Sequence, residues 1–151
     1  MTRTPPYTRP VTDLSPEATV RSYYDALNAR DYARAAGPIA ETCEWVSMPT
    51  ENVFRGPAAI VAGLREFTTS FPDWHVEVER VMSEGGTVVV EWHTTGTFEL
   101  AFRGHAPNGK RFSRRGCAVA EVESGRIMRY RDYYDRASLY AQLDLLALFK
   151  P

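Results

Sequence analysis

Residues Arg126 to Asp135 (Arg-Ile-Met-Arg-Tyr-Arg-Asp-Tyr-Tyr-Asp) carry the clearest chemical signal in the chain. Strand alternation sorts them into two faces. Arg129, Arg131 and Tyr133 share one, which suits solvent or a partner surface. Met128, Tyr130, Asp132 and Tyr134 share the other, which is apolar and aromatic with a carboxylate at its centre. An ionised carboxylate in such surroundings needs partners, or its pKa rises. Two readings stand side by side: Asp132 is structural, capping a turn or pairing with a buried arginine or tyrosine, or it is a general base. Tyr23, Tyr24, Tyr130 and Tyr134 can each orient a substrate oxygen, or serve as core aromatics with satisfied hydroxyls. His75 alternates with glutamates and reads as surface; His105 lies in a loop, at a pocket mouth or solvated. No group has metal-ligand spacing, no glycine-rich loop follows a strand in phosphate-binding form, and no serine or cysteine nucleophile motif occurs. The expectation is chemistry without metal or cofactor.

The elements that must position these groups follow from the order of the chain. Ser15-Pro16-Glu17 opens a helix with a hydroxyl cap, and Val20, Tyr24 and Leu27 form its buried stripe. Asn28 to Asp31 breaks it, and Asp31 caps a second, short helix ending at Gly37-Pro38. Cys43 to Pro49 reads as a strand with Trp45 and Ser47 on one face. Gly56-Pro57 opens a third helix, with Ile60, Leu64 and Phe67 as its stripe, stopped at Phe71-Pro72-Asp73. Strands follow over Trp74–Met82, Thr87–Leu100, Lys110–Glu123 and the strand from Arg126. The turns between them are Glu84-Gly85-Gly86, a loop ending in Asn108-Gly109, and Glu123-Ser124-Gly125. An amphipathic helix over Ala137–Phe149, carrying Leu139, Leu143 and Leu146, closes the chain. Helices first and strands afterwards argue for an α+β fold with an antiparallel sheet.

On the strand Lys110–Glu123, Phe112, Gly116, Ala118, Ala120 and Val122 share parity. If that face points inward, its small middle residues leave room beside Asp132, unless a bulky helix residue fills the gap. On the strand Thr87–Leu100, Glu91, His93 and Thr95 share one face, and Val88, Val90 and Trp92 the other.

The 151 residues suit a single domain over 15–151, preceded by a proline- and threonine-rich flexible arm over 1–14. A net charge of −1 offers no electrostatic reason to expect nucleic acid or an anionic membrane as partner. No apolar run has membrane-spanning length and no signal-peptide core is seen, so a cytoplasmic location is expected. Cys43 and Cys117 read as buried thiols, with a single disulfide as the alternative.

Several stretches resemble the nuclear transport factor 2-like superfamily, and within it the SnoaL-like polyketide cyclase and limonene epoxide hydrolase branch. They are Tyr24 to Asp31, Phe54 to Ile60, Phe71-Pro72-Asp73-Trp74, Gly96-Thr97, Pro107 to Lys110 and Gly125-Arg126-Ile127. The resemblance implies a cone-shaped α+β barrel, a curved and mostly antiparallel sheet packed around the N-terminal helices. Arg131-Asp132-Tyr133-Tyr134-Asp135 resembles the segment that carries a water-activating or acid–base aspartate in such enzymes. Other positions depart from them: Trp45-Val46-Ser47-Met48-Pro49 stands where epoxide hydrolases hold water with tyrosine and asparagine. Glu91-Trp92-His93 replaces their Arg-x-Asp pair, and Phe98 follows Gly96-Thr97 where histidine is frequent.

Carried over, the resemblance places Glu91 and His93 on the cavity side, opposite Asp132. Asp132 would then be the base and His93 the proton donor, with Trp45, Ser47, Glu91, Tyr24, Tyr130 and Tyr134 around the substrate. In the bland alternative, Glu91 and His93 are a solvated polar pair. The implied function is cyclisation or isomerisation of a hydrophobic oxygenated small molecule through an enolate, without a cofactor, in a homodimer. Epoxide opening is the alternative within enzymes. Outside them stand a non-catalytic ligand-binding module and an interaction domain with a filled core. An open cavity reaching Asp132 separates the last from the others.

Overall fold

The computed structural model describes residues 15–148. The arm expected over 1–14 and the predicted helix end at Phe149 lie outside the described residues. Helix α1 (Pro16–Asn28) begins where its cap predicts: the Ser15 hydroxyl accepts the Ala18 N–H at 3.2 Å, and Pro16 occupies the first turn. Its stripe of Val20, Tyr24 and Leu27 is buried. The helix end is fastened to a strand. The Asn28 amide bonds both backbone groups of Val76, at 2.8 and 2.9 Å, and so occupies part of a sheet edge. Arg30, with a positive φ of 57°, donates to the carbonyls of Pro72 and Trp74 at 3.0 Å each. Asp31 then caps α2 (Tyr32–Ala36), accepting from the Arg34 N–H at 3.0 Å.

Strand β1 (Ile39–Ser47) pairs with β2 (Asn52–Arg55), a four-residue edge strand too short to show alternation in the sequence. After α3 (Gly56–Thr69) come β3 (His75–Glu84), β4 (Thr87–Thr97), β5 (Arg111–Glu123) and β6 (Arg126–Tyr134). Helix α4 (Arg136–Gln142) is capped by Asp135, which accepts from the Ser138 N–H at 3.0 Å. It is shorter than the amphipathic pattern predicts. The backbone turns at Asp144 with φ 57°, so Leu139 and Leu143 are buried while Leu146, in a 3-10 turn, is 51% exposed.

The six strands run in the order β2-β1-β6-β5-β4-β3. All pair antiparallel except β1 and β6, which are parallel, so the sheet is mixed. The cone-shaped barrel implied by the resemblance is corrected here: the sheet is open, neither closed nor curled on itself, and β2 and β3 stand at opposite edges without pairing. The α+β class stands, with α1 against β3, α3 against β1 and β2, and α4 against β5. One bulge matters for the site. Glu121 pairs with Arg129 and Val122 with Ile127, leaving Met128 as the extra residue. Ile127 and Tyr130 are therefore both buried on the helix side although three positions apart. Cys43 is buried, Cys117 is half-buried, and both are free thiols. Among the described residues no helix is long and apolar enough to cross a membrane.

Candidate active site

A cavity of about 170 Å³ lies between the sheet and helices α1, α3 and α4. Leu27, Phe54, Leu64, Phe67, Val76 and Leu139 form its apolar wall. Asp132 is part of its lining, so the interior is not filled at the carboxylate. The sheet register explains the space. Asp132 lies between Ser47 of β1 and Ala118 of β5, and Gly116 lies between Trp92 of β4 and Tyr134 of β6. The missing side chain at Gly116 is used by Trp92. A Cβ there would sit 2.3 Å from Trp92 Cζ2. The indole crosses β5 over this glycine, and its Nε1–H donates to Asp132 Oδ1 at 3.1 Å.

Burial raises the Asp132 carboxyl from 3.8 to about 6, against the opposing pull of Arg114 and the Trp92 hydrogen bond. The side chain is half-buried, and Oδ2 has no hydrogen-bond partner. Around it the phenols stay neutral. Burial and then the Asp132 charge push Tyr23 and Tyr24 well above their ordinary value; burial, Tyr24 and Asp132 do the same to Tyr130. The Tyr24 and Tyr130 hydroxyls bond each other. Ser47 Oγ bonds the Tyr134 hydroxyl at 2.7 Å and accepts from Thr50 Oγ1 at 3.1 Å.

Tyr24, Trp45, Ser47, Tyr130, Asp132 and Tyr134, all expected at the site, line this cavity together. Glu91 and His93 do not, and their expected placement is corrected. The buried residues of β4 are Val88, Val90, Trp92 and Thr94, so alternation turns Glu91 and His93 to the opposite face of the sheet. There Glu91 lies 3.4 Å from Arg80, and His93 Nε2 bonds Ser113 Oγ at 2.7 Å. Among the described residues no histidine lines the cavity with Asp132.

Trp92 and Arg114 are among the cavity residues that sequence reasoning does not assign to the site. Arg114 shares parity with Phe112 and Gly116 on β5, which was sufficient signal to place it inside. Its guanidinium stacks 4.4 Å from the centroid of the Tyr134 ring and 5.3 Å from that of Trp92. Burial lowers its pKa, while Asp132 and then Tyr134 hold it up. Among the described residues no three of His, Cys, Asp or Glu come together as a metal-binding group.

The chain and its open mixed sheet backed by helices match a known class of proteins. The sequence model of the SnoaL-like polyketide cyclases fits residues 17–143, and the chain belongs to that family, within the nuclear transport factor 2-like superfamily. Its fold is similar to that of AclR, a proposed hydroxylase from Streptomyces galilaeus. The TM-score is 0.77 at 22% identity over 87% of this chain and 85% of that one. IdmH, a proposed polyketide cyclase from Streptomyces antibioticus, gives 0.77 at 22% identity over 87% and 99%. A proposed SnoaL-like polyketide cyclase from Jannaschia sp. CCS1 gives 0.77 at 20% over 90% and 96%. At such identities the likeness is one of fold. No curated protein sequence matches the chain.

Proposed function

We propose that this protein is a small-molecule enzyme in which Asp132 acts as general base on an activated C–H of a hydrophobic oxygenated substrate. The enolate so formed cyclises or isomerises, and the protonated Asp132 can return the proton. The observation that carries this reading is the raised carboxyl at the cavity wall. A pKa of about 6 leaves Asp132 largely ionised at neutral pH yet able to bind a proton in the next step. The apolar wall suits a hydrophobic substrate.

2-Tetralone, an apolar ketone with an acidic benzylic carbon, is a suitable probe. Wild-type protein should accelerate deuterium exchange at that carbon, and the rate should rise with pH through about 6 and then level. Asp132→Asn should fall to background. Full exchange in a well-folded Asp132→Asn protein would sink the proposal, and a ligand-binding role would take its place.

The indole provides a second check. The Trp92 Nε1–H stabilises the ionised carboxylate, so Trp92→Phe should move the acidic limb upward. A hydrogen bond to a charged group contributes about 1.5–3 kcal/mol, or roughly one to two pH units. A limb that stays near 6, or moves down, rejects this role for Trp92.

A further inference from the structure

Arg114 has no task in the scheme above, yet it is placed at great cost. Its guanidinium lies among the rings of Phe67, Trp92 and Tyr134, and its buried Nε has no hydrogen-bond partner. Among the described residues it makes no ion pair within 4.0 Å, with Asp132 or any other carboxylate. A buried cation kept for structure alone would have its donors satisfied. Beside the cavity, Trp45 Nε1 and Trp74 Nε1 also lack acceptors, but both are buried too deeply for an occupant to reach. The cavity hydroxyls are largely committed to one another, in the Tyr24–Tyr130 and Ser47–Tyr134 pairs. With those hydroxyls paired, Arg114 is a cavity-lining cation without an ion-pair partner among the described residues, placed to receive an acceptor oxygen of an occupant.

We propose that Arg114 is the oxyanion-binding group of this site, holding the substrate oxygen on which negative charge develops when Asp132 takes the proton. The inference rests on the reading of Asp132 as base. In that step the C–H bond breaks and its proton goes to Oδ2, the carboxylate oxygen not held by Trp92. The electron pair moves into the adjacent carbonyl, whose oxygen becomes anionic. Before the step, Arg114 faces the Asp132 charge; after it, Asp132 is neutral and the enolate oxygen is the only anion near the guanidinium. The attraction is thus transferred to the reacting oxygen as charge forms there, which is what lowers a barrier. Tyr134, stacked on the guanidinium, and Trp92 fix its plane without competing for its N–H groups.

The probe is 4-nitrophenol, whose coloured phenolate is a planar, unreactive imitation of an enolate. Asp132→Asn imitates the protonated base. This variant should bind 4-nitrophenol as the coloured phenolate, even at a pH where the free phenol is mostly neutral. Adding Arg114→Gln should weaken phenolate binding at least about tenfold and return the bound probe to its colourless form. Arg114→Lys, which keeps the charge but not the stacked fork, should retain part of the preference. Phenolate affinity and colour within about twofold of the Asp132→Asn parent, in the double variant, would overturn the proposal. Colourless binding by Asp132→Asn itself would overturn it too, and that measurement needs no Arg114 variant to fold. These outcomes are independent of the base assignment: Asp132→Asn that still exchanges 2-tetralone removes the base, while the colour of bound phenolate separately judges Arg114.

Discussion

Asp132→Asn should make the protein more stable at pH 8 while removing most of its turnover. The folded carboxyl titrates at about 6 and the unfolded one near 3.8. Below 3.8 both states are protonated and the residue contributes nothing to the difference. Above 6 both are ionised, and the folded state carries the whole penalty of the buried charge. Between these limits stability falls as pH rises, because the folded state binds the proton more tightly. At about 1.36 kcal/mol per pH unit the penalty at pH 8 reaches about 3 kcal/mol. The attraction of Arg114 and the Trp92 hydrogen bond are already included in the raised value. Asparagine keeps the shape and an acceptor for Trp92 but has no charge to desolvate. Urea unfolding should therefore show a higher midpoint for Asp132→Asn at pH 8 and no advantage at pH 3.5. The loss of activity should be about 100- to 10,000-fold, the usual contribution of a general base. A structural carboxylate predicts the opposite pair of results, lower stability with activity falling only as the folded fraction falls. Stability given up at a functional position is a familiar signature of sites that must hold a charge ready.

Much of this arrangement was legible in the residues. The Ser15 and Asp31 caps, the Val20–Tyr24–Leu27 stripe and the turn glycines have local causes, and the elements they predict are found. The alternation on β6 placed Tyr130, Asp132 and Tyr134 on the helix side for the same reason: one face of a half-buried strand must be apolar. On β4 the family resemblance and the alternation point to opposite faces, and the alternation holds. Val88, Val90 and Trp92 already marked the buried face, and Glu91 and His93 could not share it. Arg114 is hard to read from the sequence because a charge on an otherwise small, apolar face looks like an exception, although an exception is what a site requires. The openness of the sheet had no local signal. Whether edge strands β2 and β3 meet depends on distances across the whole sheet, which no neighbouring pair of residues encodes.

The largest structural effect is expected from a single methyl group at Gly116. A Cβ there would lie 2.3 Å from Trp92 Cζ2, 2.5 Å from Cη2 and 2.6 Å from the Tyr133 carbonyl oxygen, all well inside contact distance. Neither neighbour yields cheaply. The carbonyl belongs to the backbone of β6, and the indole is held by its bond to Asp132 with Arg114 beside it. Relief requires the indole to leave Asp132, the β5–β6 pairing to open, or both. Gly116→Ala should therefore destabilise the protein by about 1–3 kcal/mol, the usual range for an overpacked interior. It should also raise the acidic limb of exchange, as Trp92→Phe does, because Asp132 loses the same donor. Combining Gly116→Ala with Trp92→Phe decides between steric and backbone causes. Phenylalanine lacks the six-membered indole ring that the methyl group strikes, so the double variant should recover part of the loss, with a coupling of at least about 1 kcal/mol in chemical denaturation. Simple additivity of the two changes would show that the clash with the Tyr133 carbonyl alone governs the site, and that Trp92 reaches Asp132 without needing the glycine.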